Sequence, residues 1–327
     1  MRYFFLLTAG ASFLYICHCL RSNSSKRPSE DAGEIIHYEN FSSEYIAHRH
    51  IDVWLPLDYL ENENKRFPVI YMHDGQGLFD PKTPHTGATW GVNEAMTRLI
   101  KERSVVPAIV VGIWNTRKRS PEYMPKKAID MIKDPVLKKK WVTKMWKSYI
   151  ESGETADQNG NELKKEPLSD HYLKFLTTEL KPFIDSNYRT VLQPDHTFIM
   201  GSSMGGLISL YAVCEYPDIF GGAGCLSTHW PPGNGIMIDY AKENVPDPQT
   251  HKIYFDYGTK GLDAEYEPYQ VRMDSIMTAA GYIKGKNWIT KKFKGAGHSK
   301  RAWRKRIHIP LQFFLGTDTH SKKNQKK

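Results

Sequence analysis

Thr197-Phe198-Ile199-Met200-Gly201-Ser202-Ser203-Met204-Gly205-Gly206 is the stretch on which the reading of the fold turns. Its first four residues form an apolar run suited to a buried strand, and Leu207 to Tyr216 carry apolar residues at helical spacing. A strand that passes straight into a helix, with G-x-S-x-G at the junction, has the pattern of a nucleophile elbow. The small residues at 201, 205 and 206 leave room for that turn, and Ser203 falls at its strained tip. There its hydroxyl stands above a helix N-terminus, and the Met204 amide is aimed at any oxyanion that forms beside it. The bland alternative is a small-residue turn in an ordinary α/β sheet; strand before and helix after favour the elbow.

A nucleophilic serine needs a base, and of thirteen histidines most belong to structure or solvent. His298 differs from the others. It follows the alternating stretch Trp288-Ile289-Thr290-Lys291-Lys292-Phe293 and lies in Gly295-Ala296-Gly297-His298-Ser299, a loop able to carry an imidazole over the sheet edge. Trp303, Ile307, Leu311 and Phe314 then recur at helical spacing, predicting one final helix against the sheet. The third member, an acid that fixes the imidazole tautomer, belongs after the strand Lys252 to Tyr257. Asp263 is the first choice because it lies beyond the strand end; Asp256 and Glu265 are the alternatives. A second oxyanion donor is expected from the loop after Pro68-Val69-Ile70-Tyr71-Met72, through the main chain of Gln76 or Gly75. His73-Asp74 also reads as a metal pair, but no third ligand follows at metal spacing, so no metal and no cofactor is expected.

His73-Asp74-Gly75-Gln76, Gly201 to Gly206, Gly258-Thr259 with Asp263, and Gly297-His298 with Trp303 together resemble the esterase D or enterochelin-esterase-like group of α/β-hydrolases. That group takes in siderophore esterases, S-formylglutathione hydrolases, feruloyl and acetylxylan esterases, and mycolyltransferases. The resemblance covers roughly residues 45–316. It implies a Ser203-His298-Asp263 triad with Gln76 and Met204 as backbone oxyanion donors. The sequence departs from the shorter G-T-x-D form by two extra residues before Asp263, and some members of the group work with a Ser-His dyad.

Length and pattern agree with one domain of 41–316, a mostly parallel sheet flanked by helices. The run Arg49 to Leu55 alternates and is expected as an antiparallel edge strand. Residues 1–22, with Arg2 ahead of an apolar run from Tyr3 to Leu20, read as a secretory signal, which implies export to a periplasmic or extracellular space; an uncleaved membrane anchor is the alternative. Residues 23–40 read as a flexible tether and 317–327 as a basic disordered tail. Cys214 and Cys225 are the two cysteines outside the signal, suited either to pairing or to burial as small apolar residues.

Residues 115–169 are too long for a simple connection and carry Trp141, Met145, Trp146 and Tyr149 at helical spacing. They read as a helical flap packed on the main domain, with a lid over the pocket as the sharper alternative. His229, Trp230 and Asp74 are candidate substrate contacts. The formal charge of +9 is spread without a nucleic-acid motif; a solvated basic face is the first reading, and attraction to acidic polysaccharide or a membrane surface the second. The function expected is hydrolysis of a small-molecule or carbohydrate-linked ester, feruloyl or acetyl first and a siderophore trilactone second. An acyltransferase on the same triad and a non-catalytic carbohydrate-binding protein are the other classes.

Overall fold

A computed structural model describes residues 33–79, 88–151 and 165–317. One eight-stranded sheet runs through it in the order β1-β2-β4-β3-β5-β6-β7-β8. The strands are β1 (Glu34–Phe41), β2 (Arg49–Leu55), β3 (Val69–His73), β4 (Ile109–Ile113), β5 (Thr197–Ser202), β6 (Gly222–Leu226), β7 (Lys252–Lys260) and β8 (Trp288–Gly297). β2 pairs antiparallel with both β1 and β4, and every pair from β4 across to β8 is parallel.

The central strands are continuous apolar runs because both faces of the sheet are covered. Along β3, Val69 and Tyr71 enter one core with Ile199 of β5 and Val111 of β4, whereas Ile70 and Met72 enter the other with Phe198, Met200 and Val110. The two-residue period of a strand sends successive side chains to opposite layers, so no polar face is needed. The helix Met204–Glu215 closes the first layer, with Leu207, Ile208 and Tyr211 buried, and His308–Leu315 closes the second through Leu311 and Phe314. Parallel strands end on the same side, and that common C-terminal edge is where the loops after β3, β5, β7 and β8 meet.

Three expectations change. Residues 34–40, read as tether, belong to β1, which pairs with β2 from Glu34↔Leu55 to Phe41↔Arg49. β2 is consequently not the edge strand: it is buried between β1 and β4, and β1 is the edge. The single final helix is two, Lys300–Arg304 and His308–Leu315, joined by a turn that still buries Trp303, Ile307, Leu311 and Phe314. In 115–169 the helices Arg119–Tyr123, Lys126–Asp130 and Pro135–Glu151 pack inward, with Met145, Trp146 and Tyr149 in the main core and Trp141 half-buried against it. The aromatic face of that segment is therefore core, as in the flap reading. Cys214 and Cys225 are free thiols. The signal, the remainder of the tether up to residue 32, and the tail from residue 318 lie outside the described residues.

Candidate active site

β5 ends at Ser202 and the helix Met204–Glu215 begins two residues later, leaving Ser203 between them at φ 58°, ψ −121°. A side chain at positive φ costs about 1–3 kcal/mol and persists only when its surroundings dictate it. They do so here. The Ser203 amide donates to the Leu226 carbonyl at 2.9 Å and its carbonyl accepts from the His229 amide at 3.1 Å, so the tip is pinned to the end of β6. Gly201 is required by close approach, since a Cβ there would lie 2.8 Å from the backbone carbon of Gly205. As the first residue of its helix, Met204 has an amide outside the helical ladder.

His298 follows β8, and its Nδ1 lies 2.6 Å from Asp263 Oδ1. Asp263 sits in the short turn Gly261–Glu265 after β7 and is fully buried. Its second oxygen accepts from the Gly258 amide at 2.6 Å and the Ser227 hydroxyl at 2.7 Å. Burial works to raise the Asp263 pKa, but the hydrogen bonds from His298, Ser227 and Gly258 outweigh it and hold the group below the ordinary carboxylate value. Of the three candidate acids, Asp263 is the one hydrogen-bonded to His298. Asp256 is committed elsewhere, accepting from Arg306 at 2.8 Å and from Tyr254 at 3.0 Å, with burial pushing it up to about 6. Glu265 is exposed at the end of the turn.

The loop after β3 is set by Asp74, itself left-handed at φ 61°, followed by the turn Gly75–Gly77. The Asp74 carboxylate accepts from Arg119 at 2.7 and 2.8 Å and from the Asn115 amide at 2.6 Å. Burial alone would raise its pKa; the adjacent Arg119 guanidinium and these hydrogen bonds reverse that and lower it. The Gln76 side-chain oxygen accepts from the Asn115 main chain at 3.2 Å, tying the loop after β3 to the loop after β4. His73 Nδ1 lies 2.8 Å from the buried Tyr172 hydroxyl. Burial drives the His73 pKa down to about 3, so the ring is neutral, and the two side chains of the suspected metal pair have separate partners.

Asp74, Gln76, Asn115, Arg119, Ser203 and His298 line one open cavity of about 250 Å³, together with Ser202, Trp90, Lys300 and Trp303. Trp90 and Trp303 are 5.2 Å apart between ring centroids. His229 stands beside Ser203 through its main chain, with Nδ1 2.9 Å from the Tyr266 hydroxyl. The Ser203 side chain interacts with the same hydroxyl, acting to lower its pKa against the larger effect of burial. Trp230, named as a substrate contact, is instead a core residue: it is 1 % exposed, and its indole N–H donates to Gln270 at 3.3 Å.

Sequence reading missed Ser227, Arg306, Tyr266, Arg119 and Lys300. Ser227 Oγ is a hub, accepting from Trp303 at 3.0 Å and Arg306 at 2.7 Å while donating to Asp263. The position of Lys300, two residues past His298, was the one local signal available for any of them.

A family model described as "Putative esterase" matches residues 42–153 and 145–309. The protein YbbA of Bacillus subtilis (strain 168), described as uncharacterized, is 24% identical over 192 residues, spanning 58% of this chain and 61% of YbbA. Among solved structures, a ferulic acid esterase superposes with TM-score 0.59 at 18% identity, over 86% of this chain and 98% of its own. The ferulic acid esterase AmCE1/Fae1A of Anaeromyces mucronatus gives 0.57 at 20%, over 88% and 92%. The enterobactin esterase FES of Shigella flexneri gives 0.56 at 18%, over 87% of this chain and 59% of FES. The structural likenesses share the α/β-hydrolase fold and the family model spans most of the chain, so this protein belongs to the esterase family of α/β-hydrolases.

Proposed function

We propose that the protein is a serine carboxylic-ester hydrolase that works through an acyl-enzyme. The observation that carries the proposal is Ser203, held at positive φ on the elbow tip, sharing a cavity with His298, whose Nδ1 is held by buried Asp263 at 2.6 Å. With Nδ1–H donated to the carboxylate, Nε2 of His298 is free to accept the Ser203 proton. Ser203 Oγ attacks the ester carbonyl, and the main-chain amides of Met204 and Gln76 receive the oxyanion; each such donor is worth about 3 kcal/mol. His298 returns the proton to the leaving alcohol, and water, activated by the same imidazole, releases the acid.

The acyl group is proposed to be carried on a carbohydrate, feruloyl or acetyl. Two indoles in the cavity wall suit a planar aromatic acyl chain, and two of the solved structures with this fold are ferulic acid esterases. A siderophore trilactone is the second reading, resting on the fold shared with the enterobactin esterase. Export through the apolar N-terminal segment is also proposed, with cleavage in secreted material as its check.

The deciding experiment compares wild type and Ser203→Ala on p-nitrophenyl acetate, methyl ferulate, acetylated xylan and a catecholate trilactone. Serine-dependent release from one natural ester supports both mechanism and substrate class. Full activity in a folded Ser203→Ala protein would overturn the nucleophile, and transfer of the acyl group to an added sugar alcohol in preference to water would make the protein an acyltransferase.

A further inference from the structure

The charges lining the candidate cavity are unbalanced. It has one carboxylate, Asp74, and two permanent cations, Arg119 and Lys300. Asp74 is consumed by its two hydrogen bonds from Arg119 and one from Asn115. No carboxylate among the described residues lies within ion-pair distance of Lys300. Nor is Lys300 a lysine extended into water. It is half-buried, unlike its exposed neighbour Arg301, and its chain reaches from the helix after His298 across to the loop after β3. There it occupies the space a side chain on residue 77 would take: a Cβ on Gly77 would lie 3.1 Å from Lys300 Cε and 3.2 Å from Nζ. The ammonium thus rests beside the turn that contains Gln76, inside the wall shared with Ser203 and His298. Burial and the Arg119 charge both act to lower its pKa, with Asp74 acting against them. A cation partly stripped of water, with no ion-pair partner among the described residues and set in the wall of a reaction cavity, is a site for an external anion.

We propose that Lys300 anchors a carboxylate carried by the ester, so that the preferred substrate is an acidic ester. This rests on the hydrolase reading above and deepens it. Trp90 and Trp303 flank the apolar part of the molecule between the scissile carbonyl and the charge. The carboxylate can sit on either side of the ester bond. On the acyl side the substrate is a half-ester of a dicarboxylic acid; on the alcohol side it is an ester of an acidic alcohol, of which a uronic acid is one.

The test compares charged and neutral partners on each side: mono-p-nitrophenyl glutarate against p-nitrophenyl butyrate, and 3-carboxyphenyl acetate against phenyl acetate. The kcat/KM ratio within each pair is measured for wild type, Lys300→Met, Lys300→Gln and Lys300→Arg, each checked for folding by circular dichroism. For the side that bears the charge, loss of the ammonium should lower the charged-to-neutral ratio about 10- to 100-fold, mostly through KM. Lys300→Arg should recover much of it, and added salt should shrink the wild-type ratio. Ratios that are the same in wild type and in both neutral variants, for both pairs, would overturn the anchor. Labelling of Ser203 by a neutral fluorophosphonate keeps the two readings apart. Labelled protein whose ratios ignore Lys300 loses the anchor alone, whereas Ser203 that resists labelling removes the nucleophile on which the anchor depends.

Discussion

Replacing Asp263 by Asn is the most demanding test of the proposed proton pathway, because it changes one atom in a fully buried site. In the native site Oδ2 accepts from the Gly258 amide and the Ser227 hydroxyl, and Oδ1 accepts from His298. The new side chain keeps its carbonyl oxygen toward Gly258 and Ser227, because the main-chain amide can only donate. Its NH2 is then turned on His298 Nδ1, which must become an acceptor. The imidazole proton moves to Nε2, and the nitrogen facing Ser203 can no longer take a proton. The charge that balances the imidazolium is lost as well. With charge centres about 4 Å apart and an effective dielectric near 20, that interaction is on the order of 4 kcal/mol, or about three powers of ten in rate. Adding the wrong tautomer brings the expected loss in kcat to about 10³–10⁴-fold, with KM little changed. The assay is p-nitrophenyl acetate turnover under saturation, with folding monitored by thermal denaturation. A folded Asp263→Asn protein within tenfold of wild type in kcat would refute the role given to the carboxylate and leave a Ser-His dyad.

Ser227→Ala removes the hub that joins Asp263 to Trp303 and Arg306, and should cost about 1–3 kcal/mol of stability with a fall in kcat of roughly tenfold; an unchanged melting temperature and kcat would contradict the hub. Arg306→Met strips Asp256 of the buried cation beside it, with a side-chain exposure of 3 % and 0 % for the pair, and a loss of about 3–5 kcal/mol in urea denaturation is expected. His73 is buried neutral with its pKa depressed from 6.5 to about 3, so below pH 6.5 the unfolded chain binds a proton that the folded one refuses. The stability this group contributes is full above pH 6.5 and is lost as the pH falls toward 3, at up to about 1.4 kcal/mol per pH unit. A His73→Asn protein should show a correspondingly shallower slope of unfolding free energy between pH 6 and 4, and a parallel slope would argue against this origin.

The elbow, the histidine and the parallel sheet were legible in the sequence because each is written in neighbouring residues. An apolar run meeting a helical period across Gly201 to Gly206 specifies strand, turn and helix locally, and the small residues report the crowding that the backbone itself imposes. The alternation of β3 and β5 between two cores follows from the strand period acting on continuous apolar runs. What the chain alone left open depended on distances between segments far apart in sequence. Sequence position put Asp263 ahead of Asp256 and Glu265 only because it lies beyond the strand end; the packed sheet brings Asp263 to His298 and Asp256, inside β7, to Arg306, and leaves Glu265 exposed. The same applies to Trp230, which the fold sent into the core, and to β1, a segment read mostly as tether whose Ile36 and Tyr38 pack on the core once β2 offers it an edge. Ser227, Tyr266 and Arg119 carry no local mark of their roles and Lys300 only its nearness to His298, since a hydrogen-bond hub, or a cation laid against a distant loop, exists only once remote side chains are brought to the same edge of the sheet. Periodicity and turn chemistry are properties of the chain, and polar partnership is a property of the packed molecule, which only the tertiary structure supplies.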